Sequence, residues 1–178
     1  MNIFTQRNPE WHGQPLRRVM VIGDFTNLVY RHYAEGQMCE YISDFSDTVC
    51  LQSRNYQFAG QDTSTMLATT LIKEKVDGVI YISALERGTT TVNQPVVLNI
   101  MPWNPGFATA TGYGGSTTVD WENYSVKVYL LDGLAIWNAN ARASGNPADT
   151  IEHSSYSISK GLVRDGVILT GGVRHYKP

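Results

Sequence analysis

Four histidines, two cysteines and a few spaced carboxylates are the residues here whose types could carry chemistry. His32 and Glu35 stand three apart in a stretch with helical spacing, so both side chains could point to one metal ion. Glu152 and His153 adjoin at the start of a later helix. Neither set has a visible third ligand, and His12 and His175 complete the histidines without forming one. A metal centre needs several converging donors, so these residues read as solvated helix faces. Cys39 and Cys50 are the only cysteines. Without His partners near them they cannot hold zinc. They are either a disulfide, which requires an oxidising compartment, or two buried thiols.

Asp24 lies at the carboxyl end of a strongly apolar stretch, where open parallel sheets bind ligands at their switch points. With Thr26 and Asn27 it outlines a possible ligand crevice. The surrounding IGDFTN lacks the Gly-rich turn that lets backbone approach a phosphate, which argues against a nucleotide. The plainer role for Asp24, Thr26 and Asn27 is to cap the following turn. No GxSxG elbow occurs, and neither cysteine has a histidine beside it in sequence. Asp120 and Glu122 straddle Trp121 and point the same way on an extended chain. They read as a weak cation site or as a solvated strand end. Trp103, Phe107, Tyr113 and Trp121 sit among Pro and Gly in 101–121, which reads as a long loop. Large rings of this kind often dominate protein interfaces. These four are the candidate partner-binding residues, with a lid over the sheet as the alternative.

The elements that must position these groups follow from periodicity. Residues 1–16 carry Pro9, Gly13 and Pro15 and read as an extended lead-in, anchored by Phe4 and Trp11. The unbroken apolar run Val19 to Ile22 marks a central strand covered on both faces. From Asn27, Tyr30, Tyr33, Ala34, Met38, Tyr41, Ile42 and Phe45 recur at helical spacing. A short strand spans Asp47 to Leu51. A second helix, capped by Asp62 or Ser64, runs through Val76, and a strand follows from Val79 to Leu85. Strand, helix, strand, helix, strand implies parallel pairing with right-handed crossovers. Pro95 favours an edge strand or a bulge over a central position for Thr89 to Ile100, and an unpaired edge there is open to strand addition. In SVKVYLLDGLAIWNANAR, Asp132-Gly133 predicts a two-residue hairpin turn in which Leu131 meets Leu134. One face of that hairpin then carries Val126, Val128, Leu130, Ala135, Trp137, Ala139 and Ala141. Ser125, Lys127, Asn138, Asn140 and Arg142 fall on the other. Asn146-Pro147-Ala148-Asp149 starts a last helix. Its buried stripe is Ala148, Ile151, Ser155, Ile158 and Leu162, and Gly166 caps its end. The tail 169–178 either adds a strand or stays mobile.

The chain thus has 178 residues, enough for one domain at 17–168 with a substantial core. The class is α/β: a single mixed sheet of five or six strands. A net charge of −2 and no basic run longer than Arg17-Arg18 leave no footprint for nucleic acid. No segment approaches the ~18 apolar residues of a membrane span. Only 17% of residues are charged, with Thr, Ser, Asn, Tyr and Gly in their place, a bias that points toward export, with a cytoplasmic protein as the alternative.

VDGVIYISALE, the paired strand ending LAIWNANA and a last helix closing in VRDG resemble a family of small Gram-negative outer-membrane lipoproteins of unknown function. That family shares its layout with the amino-terminal domain of TolB and with the curli secretion-channel lipoprotein. The resemblance spans roughly 17–168. It implies helices packed on a mixed sheet, periplasmic residence at the outer membrane, protein partners in the envelope, itself included, and a lipid anchor outside this chain. Together these readings give a non-catalytic binding or assembly module with no cofactor. The rival is a small-ligand-binding protein or hydrolase using the crevice at Asp24.

Overall fold

The computed structural model describes residues 2–56, 63–93 and 116–171. Its six strands form one mixed sheet. They are β1 (Asn2–Arg7), β2 (Arg18–Asp24), β3 (Val49–Gln52), β4 (Gly78–Asn93), β5 (Ser116–Leu130) and β6 (Ala135–Ser144), in the order β1-β6-β5-β4-β2-β3. β2 lies between β3 and β4, parallel to both. The other pairs are antiparallel. Val19, Met20 and Val21 are fully buried, as an apolar run between two neighbours requires.

Two long helices cover one face of the sheet. α1 (Leu28–Phe45) connects β2 to β3, and a single 3-10 turn, Ser53–Asn55, follows β3. α2 (Thr63–Lys73) connects that turn to β4, and α3 (Pro147–Arg164) follows β6. Both β2–α1–β3 and β3–α2–β4 are parallel connections that progress in opposite directions across the sheet. Right-handed crossovers therefore put α1 and α2 on opposite faces. α1 and α3 seal the main core, in which Ala34, Met38 and Ile42 of α1 and Ile151, Ile158 and Leu162 of α3 meet Val19, Val21, Ile80, Ile82, Val126, Val128 and Trp137. Gly161 allows the close approach, since a Cβ there would sit 3.3 Å from Thr5 Cγ2 and 3.4 Å from the Trp137 ring. The caps are local: Asn27 Oδ1 accepts from Val29 N at 2.8 Å, and Asn146 Oδ1 accepts from Asp149 N at 3.0 Å.

Several segments differ from the sequence expectation. Residues 2–7 of the lead-in are strand β1, hydrogen-bonded to β6, with Trp11 buried and Phe4 exposed. Ala148 is exposed, and Thr150, Ser154 and Ser159 join the buried side of α3 instead. The hairpin register holds from Trp121↔Ser144 to Val128↔Trp137 and then shifts. Leu130 N donates to Leu134 O, so the turn has three residues, Leu131 to Gly133, with Gly133 at φ +90°. A left-handed third residue followed by a bulge is the other common hairpin geometry, and the bulge adds Ile136 to the core beside Trp137. Thr89–Asn93 is not a separate edge strand. It continues β4 and pairs with Ser116–Asp120 of β5, part of the expected loop. β2 ends opposite Ser83 and β6 opposite Trp121. Beyond those points β4 and β5 pair, among the described strands, only with each other, as a two-stranded ribbon. At the end of the domain Ile168 bridges to Leu16, and in the tail Gly171 N donates to Phe45 O.

Candidate functional site

The ribbon leaves the sheet past the carboxyl end of β2, which lies opposite Ser83 of β4, and a cleft of about 430 Å³ opens there. Asp24, Phe25, Thr26 and Asn27 form one wall; Leu85, Arg87 and Glu122 form the other. The register shift between Ala84 and Glu86 exposes Leu85 and turns Arg87 toward β5. Sequence reasoning thus brings Asp24, Thr26 and Asn27 to one place, with different roles inside it. Asp24 does not cap α1. Its carboxylate accepts a 2.7 Å bond from the Tyr81 hydroxyl, and that bond, helped by burial, pushes the phenol up to about 12. Asn27 alone caps the helix.

Across the cleft, Glu122 is 8% exposed. It is not the solvated strand end expected of it. Arg87 donates to it at 3.2 Å, Thr150 Oγ1 at 3.3 Å, and the Tyr124 hydroxyl also donates to it. Burial first, then the bond to Glu122, pushes the Tyr124 phenol upward. Asp120, two residues before Glu122, is exposed. The cleft therefore offers one exposed carboxylate, a neutralised ion pair, an apolar ring (Phe25), an amphipathic one (Tyr30) and small polar groups. These can hold a polar ligand or an extended backbone. No histidine or cysteine is among the described residues that line it.

Glu35 is the most consequential residue that sequence reasoning missed. Expected on a solvated face beside His32, it is fully buried. Its Oε1 accepts from Gly23 N at 3.0 Å, Ser53 Oγ at 2.7 Å and Arg31 Nε at 3.2 Å, and its Oε2 accepts from Arg54 N at 2.9 Å. One carboxylate thus ties the end of β2, α1 and the 3-10 turn together beneath the cleft. His32 points elsewhere. It lines a second groove, about 540 Å³, beside Cys39 and Cys50, which are joined by a disulfide between α1 and β3. His12 and His153 are exposed, and His175 lies outside the described residues. Among the described residues no three His, Cys, Asp or Glu side chains converge as metal ligands.

Trp103, Phe107 and Tyr113 also lie outside the described residues; Trp121 belongs to β5, opposite Gly88 and Ser144. A different aromatic group stands on the outer side of the helices. Tyr41, Phe45 and Tyr156 meet with centroids 5.4–6.1 Å apart, and Lys160 Nζ lies 4.9 Å over Tyr156. Tyr41 and Tyr33 both donate to Glu152, at 3.2 and 3.5 Å. Tyr41 and Phe45 carry helical periodicity and so look like core. The signal for the cluster is Tyr156, four residues before Lys160 on a helix whose opposite side is already apolar.

No protein-family profile matches the sequence, and no curated protein is significantly similar to it. Solved structures do match. The PelC dodecamer from Paraburkholderia phytofirmans superposes with a TM-score of 0.53 at 10% identity, over 96% of this chain and 99% of that one. A point variant of the same protein, again a dodecamer, gives 0.50 at 9% identity, over 91% and 96%. Lipoprotein GNA1162 from Neisseria meningitidis gives 0.41 at 10% identity, over 83% and 96%. What this chain shares with PelC is the fold. Among the described residues no helix is long and apolar enough to cross a membrane.

Proposed function

We propose that the chain is a non-catalytic assembly module of the bacterial envelope, residing in the periplasm at the outer membrane and working as one protomer of a larger complex. The observation that carries the reading is the end-to-end match with PelC, whose subunits form a dodecamer. Two features of this chain support it. The Cys39–Cys50 bridge suits an oxidising compartment. The β4–β5 ribbon carries backbone donors and acceptors past the end of β2, ready for strand addition. Trp103, Phe107, Tyr113 and Trp121, within and beside the segment joining those strands, provide the rings for partner contact.

Light scattering and native mass spectrometry on the disulfide-intact protein test this directly. A multiple of the 19.8 kDa protomer is expected, and a monomer at every accessible concentration defeats the proposal. Trp103→Ala with Tyr113→Ala should remove envelope partners in a pull-down; an unchanged set removes the aromatic segment from the account. The cleft favours a second reading, in which a small polar ligand binds between Asp24 and Arg87. That reading requires a ligand whose affinity falls in Asp24→Asn.

A further inference from the structure

β3 is one rim of the sheet. Among the described strands it pairs with β2 alone, along four residues. Val49 N donates to Arg17 O at 2.9 Å, so the backbone groups of Val49 and Leu51 face β2 and those of Cys50 and Gln52 turn away from it. Side chains alternate as well. Cys50 and Gln52 lie on the α1 side, where with Glu40 and Ser43 of α1 they border the second groove, about 540 Å³. Val49 and Leu51 lie on the other side, and Val49 is 46% exposed. Gln52 Oε1 is, among the described residues, the one buried side-chain acceptor without a donor. Outward backbone groups, a groove along their flank and an unmet acceptor together have the form of a place for one more strand.

The chain itself comes back to this rim after α3. Ile168 bridges to Leu16, Leu169 N donates to Thr48 Oγ1 at 3.0 Å, and Gly171 N donates to Phe45 O at 3.1 Å. A Cβ on Gly171 would lie 2.8 Å from both Phe45 O and Ser46 N, so only glycine lets the backbone press against the link between α1 and β3. Residues 168–171 thus run past the residues that lead into β3. GVRHYKP, residues 172–178, follows from that point. Seven extended residues reach about 23 Å, against about 13 Å for the four of β3, which leaves enough chain to turn the corner at Asp47. Val173 and Tyr176 suit a strand, and Arg174, His175 and Lys177 carry N–H donors for an unmet acceptor.

The geometry points to a seventh strand: residues 173–177 lie along the outer rim of β3, over the groove beside α1, and the chain covers its own open edge. The backbone groups of Cys50 and Gln52 exchange hydrogen bonds with this strand, and one of its donors meets Gln52 Oε1. Val173, His175 and Lys177 fall on one side of it, Arg174 and Tyr176 on the other. A rim covered in this way offers no template to another chain, so β3 is withdrawn from strand addition while the β4–β5 ribbon keeps its backbone groups for a partner. Such a cover forms within a lone protomer, whether or not protomers assemble.

Amide hydrogen exchange on the full chain, its disulfide intact, tests the pairing. R174P/H175P removes two successive backbone donors, and because neighbouring residues face opposite ways, one of the two faces β3 in either register. In wild type the Cys50 and Gln52 amides should exchange at least about tenfold more slowly than in R174P/H175P, while the Val19, Met20 and Val21 amides behave alike in both and report an intact sheet. The protection should be the same in dilute and concentrated protein. Fast exchange of Cys50 and Gln52 in wild type overturns the seventh strand. So does protection that survives R174P/H175P, which assigns the cover to another element. Protection that appears only as protein concentration rises gives the rim to a second copy and overturns the proposal too.

Discussion

Replacing Glu35 by Ala should cost about 4 kcal/mol of folding stability. The magnitude follows from what the carboxylate holds. Gly23 N and Arg54 N are backbone donors whose acceptor is Glu35, and the Ser53 hydroxyl is fully buried against it. Orphaning a buried donor costs about 1–3 kcal/mol, and removing one partner of a buried ion pair about 3–5. Arg31 softens the loss, because its side chain is 20% exposed and water can reach it. Glu35→Gln separates charge from shape. The amide oxygen can keep the Gly23, Ser53 and Arg31 bonds while the amide nitrogen is set against Arg54 N, for a cost of about 1–2 kcal/mol. Urea unfolding read from the buried Trp11 and Trp137 should resolve both. With a slope of ~2 kcal/mol/M, Glu35→Ala shifts the midpoint by about 2 M. An Ala variant within about 1 kcal/mol of wild type would show that water replaces the carboxylate, and the claim that it locks β2 to the 3-10 turn fails.

Cys39→Ser with Cys50→Ser should cost about 3 kcal/mol in the chain-entropy account of a short closed loop, and non-reducing mass analysis of periplasmic protein should find two hydrogens missing; intact thiols there refute the bridge. Carbon-13 tyrosine spectra should place Tyr81 ionisation near pH 12 and move it toward 10 in Asp24→Asn; an unmoved resonance contradicts the 2.7 Å bond. The folded chain holds that proton more tightly than the unfolded chain, so this pair's contribution to stability is complete below pH 10 and is lost as pH rises to about 12. Gly133→Ala should destabilise by about 1 kcal/mol through backbone strain alone, since nothing lies within 4 Å of the added Cβ; a neutral result would mean the turn had changed type.

What could be read in the sequence was whatever local chemistry decides. Val19 to Ile22 announces a strand with neighbours on both sides, and Asn146-Pro147 announces a helix start, because neither signal depends on distant residues. The crevice at Asp24 was legible in the same way, from strand direction and topology. Glu35 was not. Its donors come from β2 and from the turn after β3, and nothing in its helical spacing separates a buried acid from a solvated one. Asp-Gly marks a turn but does not count its residues: the glycine occupies the left-handed third position of a longer loop, and the resulting bulge buries Ile136. β1 was obscured by the Pro and Gly that follow it, and the far half of β4 by Arg87-Gly88, a pair that looks like a terminus until β5 is laid beside it.

β1 adds its row of hydrogen bonds to a strand 130 to 140 residues away, pairing Asn2 with Arg142 and Arg7 with Trp137. Until β6 arrives, Asn2–Arg7 has no ladder to join, whereas the bridge between Cys39 and Cys50 spans only 11 residues and needs nothing beyond β3. Folding has two clocks, an early covalent one near the start of the chain and a late one that waits for the hairpin of β5 and β6. Anything that holds the first seven residues elsewhere leaves β6 as a bare rim.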